Sequence, residues 1–74
     1  MRTEPVGRTR RLLALAKAEG VGISFEHKGG AWVIKAVTAD GDAQLGLSRG
    51  QTIRIAVERA ITAMDGGIVR EWLA

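Results

Sequence analysis

The stretch "ISFEHKGGAWVIKA", residues 23–36, decides the fold, because a glycine pair separates two runs of strand-forming residues. A two-residue hairpin turn of type I′ needs positive φ at both central positions, which glycine adopts without strain. A turn at Gly29–Gly30 therefore fixes the register of two antiparallel strands. The expected cross-strand pairs are Lys28 with Ala31, His27 with Trp32, Glu26 with Val33, Phe25 with Ile34 and Ile23 with Ala36.

This register sorts the side chains into two sets, which a slip of one residue would mix. The apolar face is expected to contain Ile23, Phe25, Trp32, Ile34 and Ala36, with His27 at its end. The opposite face is expected to contain Ser24, Glu26, Lys28, Val33 and Lys35. A phosphate-binding loop would need a helix N-terminus directly behind the glycine pair, whereas a strand-like run follows it. The glycines are therefore interpreted as a turn.

A second two-residue turn is expected at Asp40–Gly41. The expected pairs are Thr38 with Ala43, Ala36 with Leu45 and Ile34 with Leu47. This register adds Leu45 and Leu47 to the face that is already apolar. Because two turns agree on one buried face, the sequence predicts a three-stranded antiparallel meander.

Helices are predicted on both sides of the meander. Thr9 fits the N-cap of a first helix that runs to about Glu19, and Ser48 with Gln51 fits the capping box of a second. Apolar residues follow in the second helix at helical spacing: Ile53, Ala56, Val57, Ala60, Ile61 and Met64. The run "TIRIAV" alternates like a strand, but the helical spacing continues through "VERAITAM". Residues 68–73 fit either a short helix or a strand.

The predicted fold is α+β in the order α-β-β-β-α, a two-layer sandwich with both helices on one face of the sheet and a short C-terminal element. Residues 1–8 are expected to form an irregular basic arm, and residues 9–74 a single domain. Because the chain has 74 residues and no cysteine, packing must supply its stability, and a homodimer is left open.

Composition narrows the class of protein. The absence of cysteine and the single histidine argue against disulfides and transition-metal sites, and no metal or cofactor is expected. No apolar run approaches the roughly 20 residues that span a bilayer. The N-terminal "LLALA" is too short for a secretory signal and is followed by Lys17 and Glu19, so a cytoplasmic protein is expected.

Two families resemble parts of the chain. The order of elements, and "GLSRGQTIRIAVERAITAM" at residues 46–64, resemble the double-stranded-RNA-binding domain, with Ala56 and Ala60 at the small positions that pack on the sheet. That resemblance implies phosphate contacts from the start of the closing helix, where this chain has Thr52, Ile53 and Val57. Residues 23–64 are also similar to the β-β-β-α core of HicB-type antitoxins, which implies a small protein that binds and blocks a toxin.

No catalytic constellation emerges from the sequence, so an enzyme is not expected. His27 lacks a nucleophile or carboxylate at a recognisable spacing and is expected to pack beside Trp32. Asp40 and Asp42 are interpreted as turn formers, and Ser48 as a helix cap.

The predicted surfaces fit two kinds of partner, a protein or a nucleic acid. Val33, Lys35 and Val37 form an outward strip on the sheet that fits a protein contact. This favours a small protein-binding module, such as a phage or mobile-element regulator or inhibitor, or an antitoxin-like protein. The alternative is binding of duplex RNA or DNA by the first helix, because residues 1–20 carry the whole net charge of +3. The candidate nucleic-acid contacts are Arg8, Arg10, Arg11 and Lys17.

Overall fold

The computed structural model describes residues 6–49 and 53–73 and has the predicted α+β architecture. Its elements are α1 (Val6–Glu19), β1 (Gly22–Lys28), β2 (Ala31–Thr38), β3 (Gly41–Arg49), α2 (Ile53–Asp65) and α3 (Ile68–Leu73). The three strands form one antiparallel sheet in the order β1-β2-β3. Residues 68–73, which the sequence left open, are helical.

The first hairpin has the predicted register throughout. Phe25 pairs with Ile34 and His27 with Trp32, and the pairing ends at Lys28 and Ala31. Gly29 and Gly30 have φ of 62° and 74°. These are the left-handed values that the type I′ turn requires, so the glycine pair is confirmed as a bend between two strands.

The second hairpin differs from the prediction. Thr38 pairs with Gly41, so the turn residues are Ala39 and Asp40. The Thr38 hydroxyl accepts a hydrogen bond from the Asp40 N–H and donates one to the Gly41 carbonyl, both at 3.1 Å. A type I′ turn at Asp40–Gly41 would have required positive φ at Asp40, whereas only Gly41 takes it, at 133°. The predicted pairs of Thr38, Ala36 and Ile34 are therefore wrong.

A β-bulge in β3 then changes which side chains face the helices. Lys35 pairs with Gln44 but Ile34 pairs with Gly46, so Leu45 is the extra residue. Beyond the bulge, Leu47 pairs with Val33 and lies on the opposite face from the core. The prediction that Leu45 and Leu47 share the apolar face is correct for Leu45, which is buried, and wrong for Leu47.

The backbone of α2 lies very close to the sheet at Gly46. A Cβ atom added there would overlap the carbonyl oxygen of Ala56 and lie 2.9 Å from the backbone nitrogen of Ala60. Both are helix backbone atoms that cannot turn aside. The helix can therefore rest on β3 only because residue 46 has no side chain.

Helix boundaries also differ from the sequence expectation. Ser48 is a buried strand residue paired with Trp32, so it does not cap α2. Gln51, its expected partner in the capping box, lies outside the described residues. Helix α1 begins at Val6, so Thr9 is inside the helix and is not its N-cap.

All three helices lie against one face of the sheet. The buried apolar residues come from every element except β1: Leu12, Ala16, Ile34, Ala36, Leu45, Ala56, Val57, Ala60, Met64 and Val69. The predicted stripe of α2 supplies four of them, with Ile53 and Ile61 partly buried beside it. Among the residues described, no helix combines the length and the apolar character that crossing a membrane requires.

Candidate protein-binding surface

The face of the sheet opposite the helices is uncovered by any described element. We call it the outer face. The register assigns to it Ser24, Glu26, Lys28, Ala31, Val33, Lys35, Val37, Asp42, Gln44, Leu47 and Arg49. No side chain in this set is buried, whereas the inner face supplies Ile34, Ala36 and Leu45 to the core. The sheet therefore packs against the helices with one side, and no described element covers the other.

The three predicted contact residues lie together on β2, the central strand. Val37 has 38% of its surface exposed, and Val33 and Lys35 are half-buried between their neighbours. The Lys35 ammonium forms an ion pair with the Glu26 carboxylate at 3.4 Å. This pair joins β1 to β2 across the outer face, beside the two valines.

Leu47 belongs to this strip, and sequence reasoning missed it. Its cross-strand pairing with Val33 makes a two-residue apolar contact in the middle of the outer face. The signal was available in Gly46, because an isolated glycine inside a strand pattern suggests a bulge or a close backbone approach. A bulge at that point moves the next residue to the other face.

Charges divide the outer face along its length. Lys28 and Arg49 flank Ala31 at the end near the first turn, and Asp42 lies at the opposite end, next to the second turn with Asp40. Among the described residues, none of these four charged side chains takes part in an ion pair. The outer face is therefore basic at one end and acidic at the other, and between them the Val33–Leu47 pair lies beside the Lys35–Glu26 ion pair.

The basic residues predicted on the first helix do not form one surface. Arg8 pairs with Glu58 of α2 at 3.3 Å, and Arg11 pairs with Asp65 of α2 at 3.2 Å. Arg10 and Lys17 are exposed, and no ion pair in the described part of the chain involves them. Half of the predicted nucleic-acid candidates thus join α1 to α2, and the other half face solvent.

His27 lies against Trp32 as its cross-strand pairing requires. The two rings stack with their centroids 4.6 Å apart and their planes inclined by 22°. Both are on the inner face, at the end of the sheet near the glycine turn. The imidazole therefore extends the apolar layer of the hairpin.

A groove of about 320 Å³ lies along the exposed side of α2, lined by Ile55, Glu58, Arg59 and Thr62. Its polar groups are engaged within the protein. Arg59 donates to the Leu47 carbonyl at 2.6 Å, Thr62 donates to the Glu58 carbonyl at 3.1 Å, and the Glu58 carboxylate binds Arg8. The Arg59 hydrogen bond thus connects α2 to the edge strand β3, and the groove offers few polar groups to a ligand.

Comparison with protein-family models, curated proteins and solved structures gives no match for this chain. The outer face is therefore interpreted from its own geometry. Among the described residues, no group of three or more potential ligands could hold a metal ion.

Proposed function

We propose that this chain is a small non-catalytic protein-binding module whose contact surface is the outer face. The observation that carries the proposal is the apolar strip of Val33, Val37 and Leu47, which no described element covers, on a sheet whose other side holds the helices. Apolar side chains aligned on an open face mark interaction sites when polar groups surround them. Here the surrounding groups are the charged residues at the two ends of the face.

The arrangement of charge indicates the kind of partner. We take the partner to be an amphipathic helix, whose apolar stripe would cover the strip as the stripe of α2 covers the inner face. Helices favour acidic residues in the first turn and basic residues in the last turn. Laid along β2, such a helix would place its acidic end over Lys28 and Arg49 and its basic end over Asp40 and Asp42.

A binding role also agrees with the positions of the histidine, serine and aspartate side chains, residue types that often carry catalysis. His27 stacks on Trp32, and Ser48 is buried in β3. Asp40 forms part of the second turn. The proposed role is that of a small regulator or inhibitor, of the kind encoded by phages and mobile elements, or of an antitoxin-like protein.

The substitution Val37→Lys is expected to weaken partner binding at least about tenfold, because it replaces one of the three apolar side chains of the strip by a charge. Candidate partners are captured from a lysate of the source organism, purified and titrated calorimetrically against the wild-type chain. The matched control is Leu13→Lys, since Leu13 is exposed by 46% on α1, away from the outer face. Binding that Val37→Lys leaves unchanged, or that Leu13→Lys weakens equally, contradicts the proposal.

The nucleic-acid alternative depends on Arg10 and Lys17, which lie on the solvent side of α1, and is tested separately. Duplex RNA and duplex DNA are titrated at low salt against wild type and the double variant Arg10→Glu, Lys17→Glu. Binding through phosphates weakens steeply with salt and would be lost in this variant. Such a result, with Val37→Lys unaffected, would replace the protein-binding proposal.

A further inference from the structure

We infer that two copies of this chain associate through the free edge of β1, joining their sheets into one continuous six-stranded sheet. The inference concerns the edge of the sheet rather than the outer face, so it holds or fails independently of the proposed function.

The two edges of the sheet are protected to different degrees. At β3, the bulge at Leu45 interrupts the edge, and the Arg59 side chain occupies the Leu47 carbonyl at 2.6 Å. Bulges and covering side chains are means by which natural proteins block unwanted strand pairing. Strand β1 has neither a bulge nor a proline, and it places no lysine or carboxylate on its inner face. Among the described residues, the edge of β1 is therefore the one without such protection.

The backbone of β1 offers hydrogen-bonding groups to a partner at every second residue. Lys28 and Ala31 flank a two-residue turn, so they form a hydrogen-bonded pair, and such pairs alternate along antiparallel strands. The N–H and C=O groups of Ile23, Phe25 and His27 consequently point away from β2. In the described part of the chain, no turn, loop or cap hydrogen bond uses these groups.

Phe25 marks the centre of the edge. It is the middle residue of Gly22–Lys28, its backbone groups point outward, and 37% of its surface is exposed although it lies on the inner face opposite the fully buried Ile34. Helix α1 therefore leaves the middle of this edge uncovered. A second β1 strand would cover the Phe25 ring with its own Phe25.

The charges of β1 favour one symmetric register. A two-fold axis at Phe25 pairs Phe25 with Phe25 of the other copy, Ile23 with its His27 and Ser24 with its Glu26. This register uses the whole strand and places no like charges opposite each other. An axis at Glu26 would place two carboxylates opposite each other, which is unfavourable. An axis at His27 would leave the first half of the strand unpaired. The Phe25 axis is thus the register with the most backbone hydrogen bonds and no repulsion.

The oligomeric state of the full chain tests the inference. Sedimentation equilibrium from about 10 µM to about 1 mM chain is expected to show a monomer–dimer equilibrium, since a short edge-to-edge interface gives weak association. Phe25→Lys is expected to give a monomer across this range, because an inward-pointing lysine blocks an edge. Val37→Lys is the matched control, with similar exposure at the starting residue, 38%, but on the outer face, and it should leave the equilibrium unchanged.

A cross-linking experiment tests the register and does not depend on how well Phe25→Lys folds. The chain has no cysteine, so Phe25→Cys and Ser24→Cys each introduce a single thiol. At the two-fold axis the Cα atoms of residue 25 would lie about 5.5 Å apart, within disulfide range, whereas those of residue 24 would be farther apart. Mild oxidation should therefore cross-link the Phe25→Cys variant at least about tenfold faster than the Ser24→Cys variant.

Several outcomes would overturn the inference. They are a wild-type monomer at every concentration, a dimer that persists in folded Phe25→Lys, and equal cross-linking of the two cysteine variants. A dimer lost only in Val37→Lys would also overturn it and would assign the outer face to a second copy. Loss of heterologous binding in Val37→Lys with the dimer intact would instead support the proposed function and this inference together.

Discussion

Replacing Gly46 by alanine is expected to lower the free energy of unfolding by about 3 kcal/mol or more. The added methyl group meets the backbone of α2 at Ala56 and Ala60, so relief requires the whole helix to move away from β3. That movement would open the core around the buried Ala56 and Ala60. Small domains of this length have a marginal total stability, so the variant is expected to be largely unfolded near 37 °C.

Chemical denaturation of wild type, Gly46→Ala and Gly22→Ala measures this effect. Gly22 is the matched control, because it is also a strand glycine without positive φ and an added Cβ would make only ordinary contacts, with the Val37 carbonyl oxygen at 3.8 Å and the Val37 Cβ at 3.9 Å. Its replacement is expected to change the unfolding free energy by about 0.5 kcal/mol or less. Similar effects for the two alanine variants would show that α2 does not rest on residue 46.

Two neighbouring leucines in α1 provide the second large effect. Leu12 is fully buried, whereas 46% of the surface of Leu13 is exposed. Leu12→Ala is expected to cost about 3 kcal/mol, from lost apolar burial and the cavity that remains. Leu13→Ala is expected to cost less than about 0.5 kcal/mol, because it removes few contacts and alanine favours the helix.

Thermal unfolding followed by circular dichroism measures both leucine variants. Since 1 kcal/mol corresponds to roughly 4–8 °C in a domain of this size, Leu12→Ala should lower the melting temperature by well over 10 °C. Leu13→Ala should melt within a few degrees of wild type. The reverse order would mean that α1 is rotated about its axis relative to the structure.

The sequence predicted the first hairpin well and the second one poorly, for a physical reason. Gly29 and Gly30 both need positive φ, and few other residues can supply it at consecutive positions, so the turn has one solution. Asp40 and Gly41 match the same pattern, but Thr38 supports a turn one residue earlier by bonding to Asp40 and Gly41. A hydroxyl contact of this kind is not specified by the dipeptide alone.

The spacing of apolar residues predicted helix α2 correctly. Four residues of the predicted stripe are buried, as the pattern requires. The candidate surface was predicted in part. Val33, Lys35 and Val37 lie on the outer face, but Leu47 joins them only because the bulge adds one residue before it. The division of the basic cluster was also beyond sequence reasoning, since the acidic partners of Arg8 and Arg11 lie about 50 residues away along the chain.

The proposed function depends on the separation of the sheet into an inner face that holds the helices and an outer face that includes Leu47. Thiol labelling of single-cysteine variants Leu45→Cys and Leu47→Cys tests this separation most directly, because the natural chain has no cysteine. Leu47→Cys should react rapidly in the folded protein, and Leu45→Cys at least about 100-fold more slowly, through opening of the core. In denaturant the two rates should become equal. Protection of Leu47→Cys, or rapid reaction of Leu45→Cys in the folded protein, would contradict the assignment of the two faces.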